Sequence, residues 1–294
     1  MPSTRDIRRR IRSVKSTAQI TKAMQMVASS KMRKAQLAAL AGRPYATLMN
    51  SVLGEVLEHS SGDFSHPLME KRTVQKRAVV VVSTDKGLCG ALNSNLAREL
   101  IKFDPQTTVF VTVGRKASQF IARTRRQLAA EFTYSDTPRF PEARAISRAV
   151  REMFTKGEVD AVDVLFTRFI NTLSQTATVI PLLPVVELTR QNTGLRSAPD
   201  PEAAKRPDVP EFLFEPSPQQ VLGELLPHWV NFLMYQVLLE AKASEHSARM
   251  VAMKNATDNA KGLIKDLTLD YNKMRQAMIT KELLEISSAA MALG

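Results

Sequence analysis

The feature that most constrains this chain is its C-terminal end, which reads as one very long helix. Ser217 can cap it, Pro218 suits the first helical position, and Gln220 completes a capping box. Pro227 is the only proline from there to the end. A helix of about 75 residues would reach ~110 Å at 1.5 Å per residue, too long for a globular domain of this size to hide. Its apolar residues recur in threes and fours through Ala260, Leu263, Leu267, Met274, Ala277, Leu284 and Met291, interrupted by Asp270 and Lys281. That spacing is a seam, and a seam needs a partner.

The N-terminus supplies one. Ser3 followed by Asp6 marks a helix start, with an acid at the positive end of the dipole. Ile7, Ile11, Val14, Ala18, Thr21, Gln25, Ala28, Met32 and Ala35 then alternate in steps of four and three, and Ile20, Met24 and Val27 form a flanking stripe. Many seam residues are small, which lets a second helix approach closely. Gly42 and Pro44 are expected to break the helix. Apolar spacing resumes at Tyr45, Leu48, Val52 and Val56 and stops at 60–62. The simplest way to bury both seams is for the two ends to return and pair antiparallel.

The middle has a different grammar. Residues 77–83 and 109–113 are short β-branched runs typical of strands buried on both faces, with a helical stretch at 93–102 between them. Strand, helix, strand at this spacing is a βαβ unit and implies a parallel sheet. Further helices are expected at 116–126 and 142–156. Two longer strands, 159–169 and 176–188, joined by a turn at 171–174, are expected to form an antiparallel edge. Residues 189–210 are rich in proline and polar residues and read as a linker. The fold class is α/β: a long antiparallel coiled coil of N- and C-terminal helices plus a Rossmann-like α/β domain. The expected divisions are an N-terminal coiled-coil helix at 1–60, an α/β domain at 61–216 and a C-terminal coiled-coil helix at 217–294.

Charge narrows the partners. Net charge is +12, and Asp6 is the only acidic residue before Glu55. Such a chain attracts nucleic acid, anionic headgroups or acidic protein surfaces. No apolar run approaches the ~20 residues that span a bilayer. The single cysteine, Cys89, excludes an intrachain disulfide. The basic start lacks the apolar core of a secretory signal.

Motifs for chemistry are sparse. The loop at 83–90, STDKGLCG, follows the first strand, where α/β sheets bind ligands. It matches neither phosphate-binding glycine pattern. It reads more simply as a tight turn, or as a surface loop that meets a partner. Cys89 has no histidine at a recognisable spacing, and His59, His66, His228 and His246 form no metal-ligand grouping. No cofactor or metal is expected. The cations Arg8, Arg9, Arg10, Arg12 and Lys15 can track phosphates, but no stacking aromatics accompany them. A basic coiled-coil nucleic-acid-binding protein is therefore the alternative, against the more ordinary reading of a solvated helix face.

Four stretches resemble a known family. ITKAMQMVASSK (20–31), STDKGLCGALN (83–93), RMVAMKNATDN (249–259) and YNKMRQAMITKE (271–282) resemble, in order and across nearly the whole chain, the signatures of the γ subunit of F-type ATP synthases. The resemblance implies a non-catalytic, central-stalk rotor. It stands inside three α and three β subunits, docks with ε on the c-ring, and couples proton-driven rotation to ATP synthesis or hydrolysis at the β sites. It implies one copy per complex, no nucleic acid, and a peripheral place on the cytoplasmic face of a bacterial inner membrane, reached indirectly through the c-ring.

Carried over position by position, Arg249 and Gln276 match the family's contacts with a β loop, and Thr280 lies one turn beyond. Met24 matches a position near an acidic β loop. Lys86, Gly87, Leu88, Cys89 and Gly90 match the segment near β and ε. The ordinary alternative for each is seam packing or a solvated face. Pro227 is not expected in the family and is expected to kink or delay the rod. The 189–210 linker is long for a bacterial member, and one cysteine excludes the redox pair of chloroplast members.

Overall fold

The computed structural model describes residues 3–42, 44–45, 48–49, 52–53, 66–185 and 217–293. The expected boundaries at 60 and 216, the 189–210 linker and Val56 lie outside them. The chain forms two compact units: Met1–Ser30 with Arg249–Gly294, and Lys31–Ala248. Both divisions fall inside long helices, α1 (Thr4–Ala41) and α5 (Pro218–Leu293).

Among the described residues the larger unit has five strands: β1 (Arg77–Val82), β2 (Thr108–Val113), β3 (Leu128–Phe132), β4 (Ala161–Phe169) and β5 (Gln175–Leu183). Their order is β3-β2-β1-β4-β5. The first four are mutually parallel, and β5 is an antiparallel edge on β4. Pro181, which cannot donate a ladder hydrogen bond, sits on that edge beside a register shift at Val162/Asp163. Between β1 and β2 lies α2 (Leu92–Ile101), between β2 and β3 α3 (Arg115–Arg123), and between β3 and β4 α4 (Phe140–Thr155).

The runs of β-branched residues are buried on both faces. Val79 and Val81 pack with Leu96 and Leu100 of α2, Ala117 and Ile121 of α3, and Phe110. Ala78, Val80 and Val82 pack with Ile146, Val150 and Phe154 of α4 and with Leu222, Leu226, Val230 and Leu238 of α5. The first part of α5 is thus a core helix of the α/β unit. β3 has no counterpart in the sequence expectation. It is an edge strand with no fully buried residue: only Ala130 and Phe132 turn to the core, too short a pattern to stand out in the sequence.

Both helix starts were legible. Ser3 Oγ accepts from the Asp6 backbone N–H at 3.2 Å, and Asp6 Oδ2 accepts from the Ser3 N–H and hydroxyl. Those bonds hold the Asp6 carboxyl below its usual range. Ser217 Oγ accepts from Gln220 N at 3.3 Å. Pro227 neither delays nor ends α5, which begins at Pro218 and runs through it. The missing N–H leaves only the carbonyl of Gly223 without its helical donor, and buried Leu226, Trp229 and Val230 clamp the turn on both sides. α1 ends at Ala41, just before Gly42. In the stretch that follows, Met49 and Leu53 are buried rather than Leu48, which is exposed. Tyr45 rests on Phe232 at 4.9 Å and shares a 2.7 Å hydrogen bond with His228.

In the smaller unit α1 and α5 pair antiparallel. Ile7 and Ala28 are buried and Ile11, Val14, Ala18, Thr21 and Gln25 are half-buried, following the expected seam. The opposing seam is Met253, Thr257, Ala260, Ile264, Leu267, Tyr271 and Met274. It differs from expectation at Leu263, which is exposed while Ile264 faces inward, and at Leu284 and Met291, which are exposed. Ala277 is exposed as well. The register explains the last three. Arg8 donates to the Tyr271 hydroxyl and stacks 5.3 Å from its ring centroid, so α1 has almost run out where α5 passes Met274.

Candidate functional site

Two groups of candidate residues emerge, one in each unit. In the α/β unit, the loop at 83–90 leaves the C-terminal end of β1, beside the point where strand order reverses between β1 and β4. In doubly wound sheets this is where ligands bind, often on the N-terminus of the next helix. Here the acceptors of the loop are instead taken up by the start of α3, the helix that follows β2. At the start of α3, Arg115 N donates to Asp85 Oδ1 at 3.1 Å, Lys116 N to the Thr84 carbonyl at 3.0 Å, and Ala117 N to Ser83 Oγ at 2.9 Å. Gly114 allows the close approach. Its φ is +101°, and a Cβ there would meet the Ser83 carbonyl oxygen at 2.4 Å. The loop is therefore a braced turn rather than a phosphate cradle.

The same bracing fixes what it displays. Thr84 Oγ1 donates to the Lys86 carbonyl at 2.8 Å, and Asn93 Nδ2 donates to Thr84 Oγ1 at 2.8 Å and to Cys89 Sγ at 3.3 Å. Cys89 is only 2% exposed, anchored inside the α2–α3 cluster. Lys86, Gly87, Leu88 and Gly90 face outward. Leu88 is 62% exposed and has a φ of +63°, a region an L-residue enters only at some strain.

In the coiled-coil unit Met24 and Arg249 are half-buried, whereas Gln276 and Thr280 are exposed. Thr280 Oγ1 donates to the Gln276 carbonyl at 3.0 Å, so these two present neighbouring turns of α5. The helices bring the four residues to two stations, not one. Thr21 opposite Thr257 and Arg8 opposite Tyr271 set the register, which puts Met24 near Arg249 along the axis. Gln276 lies about 40 Å further along at 1.5 Å per residue. Past it, Met278, Ile279, Leu283, Leu284, Ile286 and Met291 are all exposed.

Sequence reasoning missed a polar cluster in the α/β unit. Lys242 of α5 is 1% exposed. Its ammonium donates to Glu245 at 2.9 Å, lies 3.8 Å from Asp136 and sits 4.3 Å above the centre of the Tyr134 ring. Asp136 in turn accepts from Lys31 of α1 at 2.5 Å. The Lys31 hydrogen bond, aided by Lys242 and His246, holds the Asp136 carboxyl below its usual range. Burial, with the charges of Glu245, Asp85 and Asp136, pushes the Tyr134 phenol well above its own. The Tyr134 hydroxyl donates to the Ser83 carbonyl at 3.2 Å. The one sequence signal was Lys242 three residues before Glu245, a spacing that places opposite charges side by side on a helix.

Among the described residues no helix is long and apolar enough to cross a membrane, and no group of three or more His, Cys, Asp or Glu could hold a metal.

Comparison with known proteins gives a consistent picture. A family model described as ATP synthase matches residues 3–293. A protein of Opitutus terrae called ATP synthase gamma chain is 50% identical over 99% of both chains, and one of Methylacidiphilum infernorum with the same name is 46% identical over the whole of both. A chain from the Euglena gracilis mitochondrial ATP synthase, OSCP/F1/c-ring, superposes with a TM-score of 0.68 at 20% identity, over 99% of this chain and 94% of that one. A chain from the central stalk and c-ring of the Tetrahymena thermophila enzyme gives 0.60 at 24% identity, over 81% and 99%. None of these relatives favours the nucleic-acid alternative.

Proposed function

The chain belongs to the ATP synthase gamma chain family, and from that premise we propose that it is the rotating central stalk of the enzyme, itself without a catalytic centre. The observation that carries the proposal is a full-length match at 50% identity to a gamma chain, joined to an antiparallel helix pair whose seam follows the expected period. Its partners in this reading are three α and three β subunits around the helices, and ε and the c-ring at the α/β unit. Only contact energy that differs among three otherwise equivalent β subunits can hold them in different states. An asymmetric rod turning among them supplies that difference in sequence.

The contacts we assign to β are Met24 and Arg249 at one station and Gln276 and Thr280 at the other. Lys86, Gly87, Leu88, Cys89 and Gly90 are assigned to the β and ε region. Within that loop Leu88, Lys86, Gly87 and Gly90 make the touch, and Cys89 holds the turn from inside. The buried thiol, hydrogen-bonded by Asn93, is in no position to act as a nucleophile. The cationic face of α1 (Arg5, Arg9, Arg10, Arg12) suits acidic loops of β. The location that follows is peripheral, on the cytoplasmic face of the inner membrane, held there through the c-ring.

Reconstitution with α and β subunits tests this. Retention at one copy per ring with restored ATPase activity is expected. Retention on random duplex at physiological salt, with no α/β complex formed, would sink it.

A further inference from the structure

The cluster around Asp136 stands where both long helices meet one loop of the α/β unit. Resting on the rotor reading, we propose that Asp136 is the positioning residue that clamps α1 and α5 to the sheet and so stiffens the rotor against twist.

The loop that carries Asp136 is itself tied down. Tyr134 on one side hydrogen-bonds the end of β1 at Ser83. On the other side Ser135 bonds Glu142 of α4 and the Thr137 carbonyl. From this braced position one carboxylate takes two cations, Lys31 from α1 and Lys242 from α5. α5 also packs on the sheet through its apolar residues, and Asp136 adds a polar tie shared by both helices.

Lys242 does not depend on Asp136 alone for its counter-charge. Lys242 cannot be buried without a counter-charge, and Glu245, itself 3% exposed, provides one at 2.9 Å. With Asp136 removed, Lys242 stays neutralised and Lys31 turns to solvent, so the unit remains foldable. What is lost is the bridge between the two helices. Asp136 feels Lys31 from α1 and Lys242 and His246 from α5, and Tyr134 beside it feels Glu245 from α5 and Asp85 from the sheet end. A half-exposed pair such as Lys31–Asp136 adds little to stability. Its geometry, spanning three elements, is what gives it a mechanical role.

The test is torsional stiffness in the assembled complex, read from the angular fluctuations of a probe fixed to the α/β unit while the β sites are stalled. Asp136→Asn is expected to raise the angular variance beyond the spread found among parent complexes. Lys31→Met is expected to match it, the double variant to add nothing further, and Asp136→Glu to restore most of the stiffness. A role confined to folding would lower assembly yield and leave the variance alone. Unchanged variance in assembled Asp136→Asn complexes, or additive effects in the double variant, overturns the inference. If the parent chain fails to restore ATPase activity, the rotor reading itself falls and takes this inference with it.

Discussion

The hydroxyls of Thr21 and Thr257 lie 2.7 Å apart, one on each helix of the coiled coil. Each hydroxyl carries one hydrogen, so one donates across the seam while the other donates to its own helix, where Thr21 has the Ala18 carbonyl at 3.1 Å and Thr257 that of Met253 at 2.8 Å. Both side chains are short, and Thr257 is buried, so the backbones come close here. Two small seam residues, Ala28 and Ala260, continue the same close approach.

Ala28→Leu should force the helices apart. Ala28 is 2% exposed, and extra methylenes in a packed seam cost about 1–3 kcal/mol. Chemical denaturation of the isolated chain should register the loss. An unchanged midpoint would mean the seam is looser than described.

Gly114→Ala should be among the most damaging single changes in the α/β unit. The new Cβ would overlap the Ser83 carbonyl at a φ unfavourable to any L-residue, a strain on the order of 1–3 kcal/mol or more. Because Ser83 begins the 83–90 loop, the variant should also disturb the partner contact. Thermal unfolding and ATPase reconstitution should fall together.

Leu88→Gly separates stability from function. Glycine adopts the observed φ freely, so the variant should be as stable as the parent or up to about 1 kcal/mol more so. Reconstituted activity should nevertheless drop, since the exposed side chain is gone. Full activity with Leu88→Gly would remove this loop from the contact assignment.

Gln276→Ala and Thr280→Ala should leave the isolated chain within about 0.5 kcal/mol of the parent, as for exposed positions generally. In the complex both should lower ATP turnover. Equal turnover in parent and variants would confine the β contact to the Met24 and Arg249 station.

The Asp136 carboxyl predicts a pH dependence. Its folded-state value is depressed below the ordinary 3.8 by the Lys31 hydrogen bond. Its stabilisation is therefore fully present above that value and is lost as pH falls through the folded value. The stability difference between the parent and Asp136→Asn should be constant from neutral pH to about pH 5 and shrink below the ordinary carboxylate value. A difference that grows on acidification would reverse the assignment.

How far the sequence could be read depended on whether a signal was local. The α1 seam was legible because period and burial coincide from Ile7 to Ala35. β1 and β2 were legible because strands buried on both faces are apolar throughout. β3 was not, since of the edge strand Leu128–Phe132 only Ala130 and Phe132 turn to the core, and two positions make no period. The first part of α5 was read as rod because it is helical, yet Leu222 to Leu238 cover the sheet. A helix surrounded by protein loses the one-sided pattern that would have shown it. The Asp136 cluster joins residues more than a hundred positions apart, and nothing in the chain near Lys31 or Lys242 points to their shared carboxylate.

The register that pairs Arg8 with Tyr271 leaves roughly the last five turns of α5 beyond the start of α1. A solitary helix that shows its leucines and methionines to water has little of its own to keep it wound. Its order is then a loan from whatever encloses it. Amide exchange at Ile279 through Ile286 should be fast in the free chain and slow inside a ring of partners, so this tip reports on assembly more directly than any activity does.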